Sequence, residues 1–172
     1  MATTKTKKRT PEETVRSYFD AVAARDPDAM ASHWADEGIE EILPVGIFRG
    51  PDELKAYFTE LFAAVPDMEL TIDRVLAKDN DVLVQWRASG TFSGGPLQGI
   101  EATGRRIELR GLDWLEVEGE LITRNTAFAD GAALARGMGL LPPQGSAAEK
   151  AMFSAFNAFT KARGAVTDVL SR

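Results

Sequence analysis

Apolar positions recur at helical spacing in the first third of the chain and switch to strict alternation in the middle. Thr10-Pro11-Glu12-Glu13 reads as a capped helix start, with proline in the first turn and glutamate three residues after the cap. Val15, Tyr18, Phe19 and Val22 follow on one stripe, which turns Tyr18 inward. Asp26-Pro27 opens a second helix with Met30, His33 and Trp34 on its apolar side, and Gly38 is expected to end it. Ile39 to Leu43 reads as a short strand with Ile39, Glu41 and Leu43 on one side and Glu40 on the other. After a connection from Pro44 to Gly50, Pro51 begins a third helix whose stripe is Leu54, Tyr57, Phe58, Leu61 and Val65.

Beyond Pro66 the period is two. Met68, Leu70 and Ile72 alternate with polar residues, and so do Val82, Val84, Trp86 and Ala88. A glycine-rich bend from Gly90 to Gly104 leads to the longest alternation, Ile107 to Val117. Glu118-Gly119 turns it into a last strand ending near Phe128. Asp130 caps a short helix to Met138, and Ser146-Ala147-Ala148-Glu149 is a second capping box. The order predicts an α+β fold in which a curved antiparallel sheet wraps against helices. Residues 10–141 form its body, 142–172 a linker and an amphipathic helix, and 1–9 a disordered basic tail.

One position breaks the pattern. Asp113 shares a face with Ile107, Leu109, Gly111, Leu115 and Val117, and a carboxylate facing a core costs several kcal/mol unless paired, hydrogen-bonded or neutralised. Such groups collect in functional pockets. The competing account is a structural carboxylate satisfied by an arginine or a backbone N–H. Arg124 is the candidate cation if the Glu118-Gly119 turn sets one register, and a longer turn places Asn125 opposite instead.

Composition narrows the function without naming it. Setting aside Lys5, Lys7, Lys8 and Arg9 leaves 16 basic against 26 acidic residues, a net of −10. So acidic a body is a poor partner for nucleic acid or an anionic membrane. The absence of cysteine excludes disulfides and thiolate chemistry, and no apolar run reaches membrane-span length, so a cytoplasmic protein is expected. His33 is the only histidine; it reads as a packing residue, and no metal is expected.

Several segments in order carry a family resemblance: the inward Tyr18, "GIFRG" before the third helix, Gly90-Thr91-Phe92 with Gly99 and Thr103-Gly104-Arg105, "EGELITRNTAFAD" and "LARGMGLLP". Over about residues 11–141 the chain resembles the SnoaL-like polyketide cyclase branch of the nuclear transport factor 2-like superfamily. The resemblance implies a cone of curved sheet around a deep apolar pocket, on a fold that serves both enzymes and noncatalytic binding modules. The cyclases' acid/base aspartate would fall on Ala127 or Thr126, neither of which moves protons.

The steroid-isomerase pattern fits better. Tyr18 and Asp113 resemble that enzyme's pair of donors to a dienolate oxygen, with Asp113 uncharged. The base position falls on Leu43, and Glu41 is the nearest acid on that face. The expected site is therefore Tyr18, Asp113 and Glu41, with Leu43, Trp86, Leu109, Asn125 and Ala127 lining the pocket and no cofactor. The reading is enolisation-based isomerisation or cyclisation of an apolar carbonyl compound. Its rival is a noncatalytic module that binds a hydrophobic ligand or dimerises. The final helix carries Met152, Phe153, Phe156 and Phe159 on one side; burial of each is worth about 1.5–3 kcal/mol, so it is expected to pack across the cone, close its mouth or join a second subunit, and the resemblance, to a superfamily in which dimers are common, implies a homodimer involving this helix.

Overall fold

The computed structural model describes the backbone of residues 8–170 and the side chains of residues 8–163. Most of the basic tail, residues 1–7, lies outside the described residues. Helix α1 (Pro11–Ala24) starts as its sequence dictates: the Thr10 hydroxyl accepts from Glu13 N and the Glu13 carboxylate accepts from Thr10 N. Its buried stripe is Val15, Tyr18, Phe19 and Val22. Helix α2 spans Pro27–Ala31, and strand β1 runs Trp34–Leu43. Thus α2 ends well before Gly38, and Trp34 belongs to the sheet.

His33 explains the early stop. Its Nδ1 donates to the Ala29 carbonyl at 2.7 Å and its Nε2 faces the Ser17 hydroxyl at 2.9 Å, tying the end of α2 to α1. A neutral ring protonated on Nδ1 satisfies both contacts. Gly38 lies within β1 because Trp34 crosses it: a Cβ there would meet the indole at 2.8 Å.

Strand β2 (Gly46–Arg49), helix α3 (Gly50–Ala64), β3 (Glu69–Lys78), β4 (Asp81–Phe92), β5 (Arg105–Glu118), β6 (Leu121–Ala129), α4 (Gly131–Met138) and α5 (Ala147–Leu170) complete the chain. The connection expected from Pro44 to Gly50 therefore contains a short strand. The six strands form one curved, unclosed sheet in the order β2-β1-β6-β5-β4-β3, antiparallel throughout except for the parallel β1–β6 pair. With the helices it makes the cone-like α+β arrangement. Val82, Val84, Phe92, Leu115, Val117 and Ile122 form the floor of the core, and α1 and α3 close over it. No helix among the described residues is long and apolar enough to cross a membrane.

The last hairpin settles the register. A β-bulge between Glu116 and Val117 places Ala127 opposite Asp113 and Arg124 opposite Glu116. Neither Arg124 nor Asn125 is the direct cross-strand neighbour of Asp113.

Candidate active site

Alternation on β5 buries Ile107, Asp113, Leu115 and Val117 and exposes Glu108, Trp114 and Glu116. On β1 the same rule turns Glu40 inward with Ile42, leaving Glu40 only 2 % exposed. Both carboxyl groups line an apolar cavity of about 310 Å3, together with Tyr18, Tyr57, Trp86 and Leu109. No lysine or arginine among the described residues lines it.

Asn125 joins the two acids. Its side-chain amide donates to Glu40 Oε1 at 3.0 Å and Oε2 at 3.2 Å, and to Asp113 Oδ2 at 2.9 Å. Asp113 gains a second donor, because Trp86 Nε1 reaches Oδ1 at 2.7 Å. That indole is placed by an absence across the strand pair. Gly111 lies opposite Trp86, and a Cβ on it would meet the ring at 2.2 Å, so any larger residue displaces the indole.

The environment perturbs every ionisable group here. Burial, followed by the charge on Asp113, pushes Glu40 well above the ordinary carboxyl range, with the Asn125 amide opposing. Burial also raises Asp113, to about 6, but hydrogen bonds from Trp86 and Asn125 work against the rise. An anion on Asp113 is held by two donors, one on each oxygen, whereas Glu40 has only the shared amide. The pair's negative charge therefore belongs on Asp113 and the proton on Glu40. Tyr18 and Tyr57 are both raised by burial, with the Glu40 carboxyl the next cause in each. Both phenols stay protonated and able to donate.

Of the residues expected from the sequence, Tyr18, Asp113, Trp86, Leu109 and Ala127 line the cavity. Asn125 is buried behind it as the bridge between the acids. Glu41 and Leu43 require correction. Both sit on the other face of β1, where Leu43 is exposed and Glu41 approaches Arg124 at 3.9 Å. The apolar residues Ile39 and Leu43 made that face look like the inner one, yet β1 carries apolar side chains on both sides. Glu40 is the acid that sequence reasoning missed, and the usable signal was its two-residue spacing from Gly38 and Ile42. No group of three or more possible metal ligands occurs among the described residues.

Residues 15–125 match the family model of the SnoaL-like domain. The chain belongs to the SnoaL-like family. Solved structures agree at the level of fold. The provisionally assigned SnoaL-like polyketide cyclase of Jannaschia sp. CCS1 is 19% identical, with a TM-score of 0.69 over 80% of this chain and 100% of that one. TsrD from Streptomyces laurentii is 24% identical, with a TM-score of 0.66 over 76% and 95%. A protein from Catenulispora acidiphila with a ketosteroid isomerase-like fold, in complex with trimethylamine, is 18% identical, with a TM-score of 0.63 over 76% and 95%. No curated protein matches the chain.

Proposed function

We propose that this SnoaL-like protein isomerises or cyclises an apolar carbonyl compound through its enol, using Asp113 as the base and Glu40 with Tyr18 as the donor pair. The observation that carries this reading is the unequal hydrogen bonding of two carboxyl groups joined by one amide. A carboxylate has about four lone-pair sites. Two on Asp113 are used by Trp86 and Asn125, which leaves room to accept a proton from carbon. A value of about 6 suits a base that must be ionised near neutrality yet still take a proton.

In the forward step Asp113 removes a proton from the carbon beside the carbonyl. The electron pair moves to the carbonyl oxygen, where the Glu40 carboxyl and the Tyr18 hydroxyl donate as charge grows. The Asp113 proton then returns to a different carbon, giving an isomer, or the enol carbon attacks a second carbonyl, whose π bond breaks and whose oxygen takes the Asp113 proton as the ring closes. The roles differ from those the sequence pattern implies: the neutral donor is Glu40, and Asp113 carries the charge. A lining whose charged groups among the described residues are Glu40 and Asp113, with no lysine or arginine, favours an uncharged substrate over an anionic one.

A second reading has its own support. Two acids without a basic partner among aromatic walls suit an apolar amine, and the Catenulispora relative is in complex with trimethylamine. The test is turnover of a cyclic β,γ-unsaturated ketone to its conjugated isomer, followed by ultraviolet absorbance across pH. Activity rising through about pH 6 and lost in Asp113→Asn supports the enol mechanism. Binding of trimethylamine with no turnover supports the noncatalytic reading and overturns the enzyme.

A further inference from the structure

The chain has three tryptophans, and two of them hold a carboxylate. Trp86 donates to Asp113 and Trp114 donates to Asp81. The third, Trp34, is 4% exposed, and its Nε1 is sealed from solvent without a closed hydrogen bond. A buried indole N–H ordinarily finds an acceptor, so one left open calls for an explanation.

The Trp34 indole is placed by the same device as that of Trp86. Trp34 starts β1, held beside β6 because Ile122 N donates to the His33 carbonyl at 2.8 Å. Its ring then lies over Gly38, where a Cβ would meet it at 2.8 Å. Gly111 clears the way for Trp86 in the same manner. Gly38 shares the inner face of β1 with Glu40, as Gly111 shares that of β5 with Asp113.

Tyr18 is the acceptor that Trp34 faces. The two rings meet edge-on, with centroids 6.0 Å apart and planes at 76°. Burial, then the Glu40 and Asp113 charges, raise the phenol, and a hydrogen bond from Trp34 works against them. An indole N–H only donates, so in this contact the phenol oxygen accepts. The phenol hydrogen is thereby left to point elsewhere, and Tyr18 lines the cavity that holds Glu40 and Asp113.

We propose that Trp34 is a positioning residue for Tyr18: its N–H donates to the phenol oxygen, turns the phenol hydrogen toward the cavity, and tightens as that oxygen gains charge. Catalytic hydrogen bonds are often long at rest and shorten only when charge develops. As Tyr18 donates to the growing enolate oxygen, its own oxygen becomes a stronger acceptor and the contact with Trp34 closes. The effect of Trp34 on rate rests on the enol reading; the bond itself does not. The site then consists of two like units, Gly111 with Trp86 serving the base and Gly38 with Trp34 serving the donor.

The test reads the indole directly. A proton–nitrogen correlation spectrum of the native protein is expected to show three indole N–H resonances. Trp86→Phe and Trp114→Phe assign them, so Trp34 itself needs no substitution. Tyr18→Phe is expected to move the Trp34 resonance upfield and leave that of Trp114 in place. Saturation with cyclohexanone, which accepts a hydrogen bond but has no double bond to shift, is expected to move the Trp34 resonance downfield, and Tyr18→Phe to abolish that response. In turnover of the β,γ-unsaturated ketone, Trp34→Phe should lower kcat about tenfold with KM within about twofold. The rise in activity through about pH 6 should stay where it is, because Asp113 keeps both its donors. Added to Tyr18→Phe, the same substitution should cost nothing further.

A Trp34 resonance indifferent to Tyr18→Phe overturns the proposal, and so do additive losses in the double variant. Asn125 Oδ1 and Thr14 Oγ1 are also enclosed without a partner among the described residues. A Trp34 resonance that follows Asn125→Ser or Thr14→Val in place of Tyr18→Phe therefore overturns it too. A native protein with no turnover, whose Trp34 resonance still follows Tyr18, overturns the enol reading and supports the bond.

Discussion

The two faces of the sheet carry nearly the same polar chemistry and put it to different ends. Inside, Trp86 donates to Asp113 at 2.7 Å; outside, Trp114 donates to Asp81 at 2.8 Å. Inside, Glu40 meets the amide of Asn125; outside, the next residue, Glu41, meets the guanidinium of Arg124, itself the neighbour of Asn125. A step of one residue along β1 and β6 thus exchanges a neutral bridge for a cation. The cation lies where water already solvates the acid, and the described residues bring none to the cavity. Solvent exclusion turns Glu40 and Asp113 into a proton-holding pair, while Glu41 and Asp81 lie on the solvated face.

The largest contrast is expected between the two tryptophan-bound aspartates. Asp113→Asn removes the base and should lower turnover of the enone probe by about 10²–10⁴-fold. Asp81→Asn should leave it within about twofold. Equal losses from both substitutions would mean that the inner pair has no special role.

That contrast was partly legible in the sequence. The Ile107–Val117 alternation continues on both sides of Asp113, so the placement of Asp113 on the core face needed only the period of a strand. Tyr18 was equally plain, because a capped helix with four apolar positions leaves one orientation. β1 was not. Its inner face reads Gly38, Glu40, Ile42 and its outer face Ile39, Glu41, Leu43, so counting apolar residues selects the wrong side. The outer face is apolar at Ile39 and Leu43 without belonging to the core. Trp86 could be assigned to a face, but its bond to Asp113 depends on Gly111 being bare, and that is a fact about two strands at once. The β6 register turned on a bulge at Glu116 and Val117 that no turn signal announces.

Folding itself should feel the difference between the faces. Glu40 is raised in the folded state, so the folded protein holds its proton after the unfolded chain has released it. Stability is then greatest below the ordinary carboxyl range and falls as pH rises through it. The fall ends once pH exceeds the folded-state value. Asp113, raised from 3.8 to about 6, adds a penalty on the order of 3 kcal/mol that is complete just above pH 6. Glu40→Gln keeps the shape and removes the titration. Its melting temperature relative to the native protein should rise between pH 4 and pH 8, and each 1 kcal/mol gained would read as about 2–4 °C. A pH-independent difference would mean that Glu40 is not held protonated.

The donors to Asp113 come next in size. Trp86→Phe removes the bond to Oδ1 and leaves the anion with one donor, so the ascending limb of the pH–rate profile should move upward by about one unit. Gly111→Ala should act in the same direction without touching the indole chemistry, because the new Cβ displaces the ring. Trp114→Phe deletes the outer bond to Asp81 and should leave the limb where it is. A shift in all three would trace to general loosening of the sheet.

The smallest effect is expected where sequence reasoning had placed the base. Glu41 is partly exposed, and its contact with Arg124 is long at 3.9 Å. Exposed pairs of this kind contribute about 0–1 kcal/mol and weaken with salt. Glu41→Gln should therefore change stability by less than about 0.5 kcal/mol and leave both the rate and its pH profile unaltered. Because Glu41 and Glu40 are adjacent and differ only in the side of β1 they occupy, the paired substitutions isolate orientation from chemistry. If Glu41→Gln abolished turnover while Glu40→Gln spared it, the inward face of β1 would have been assigned to the wrong residues, and the Asn125-bridged pair with it.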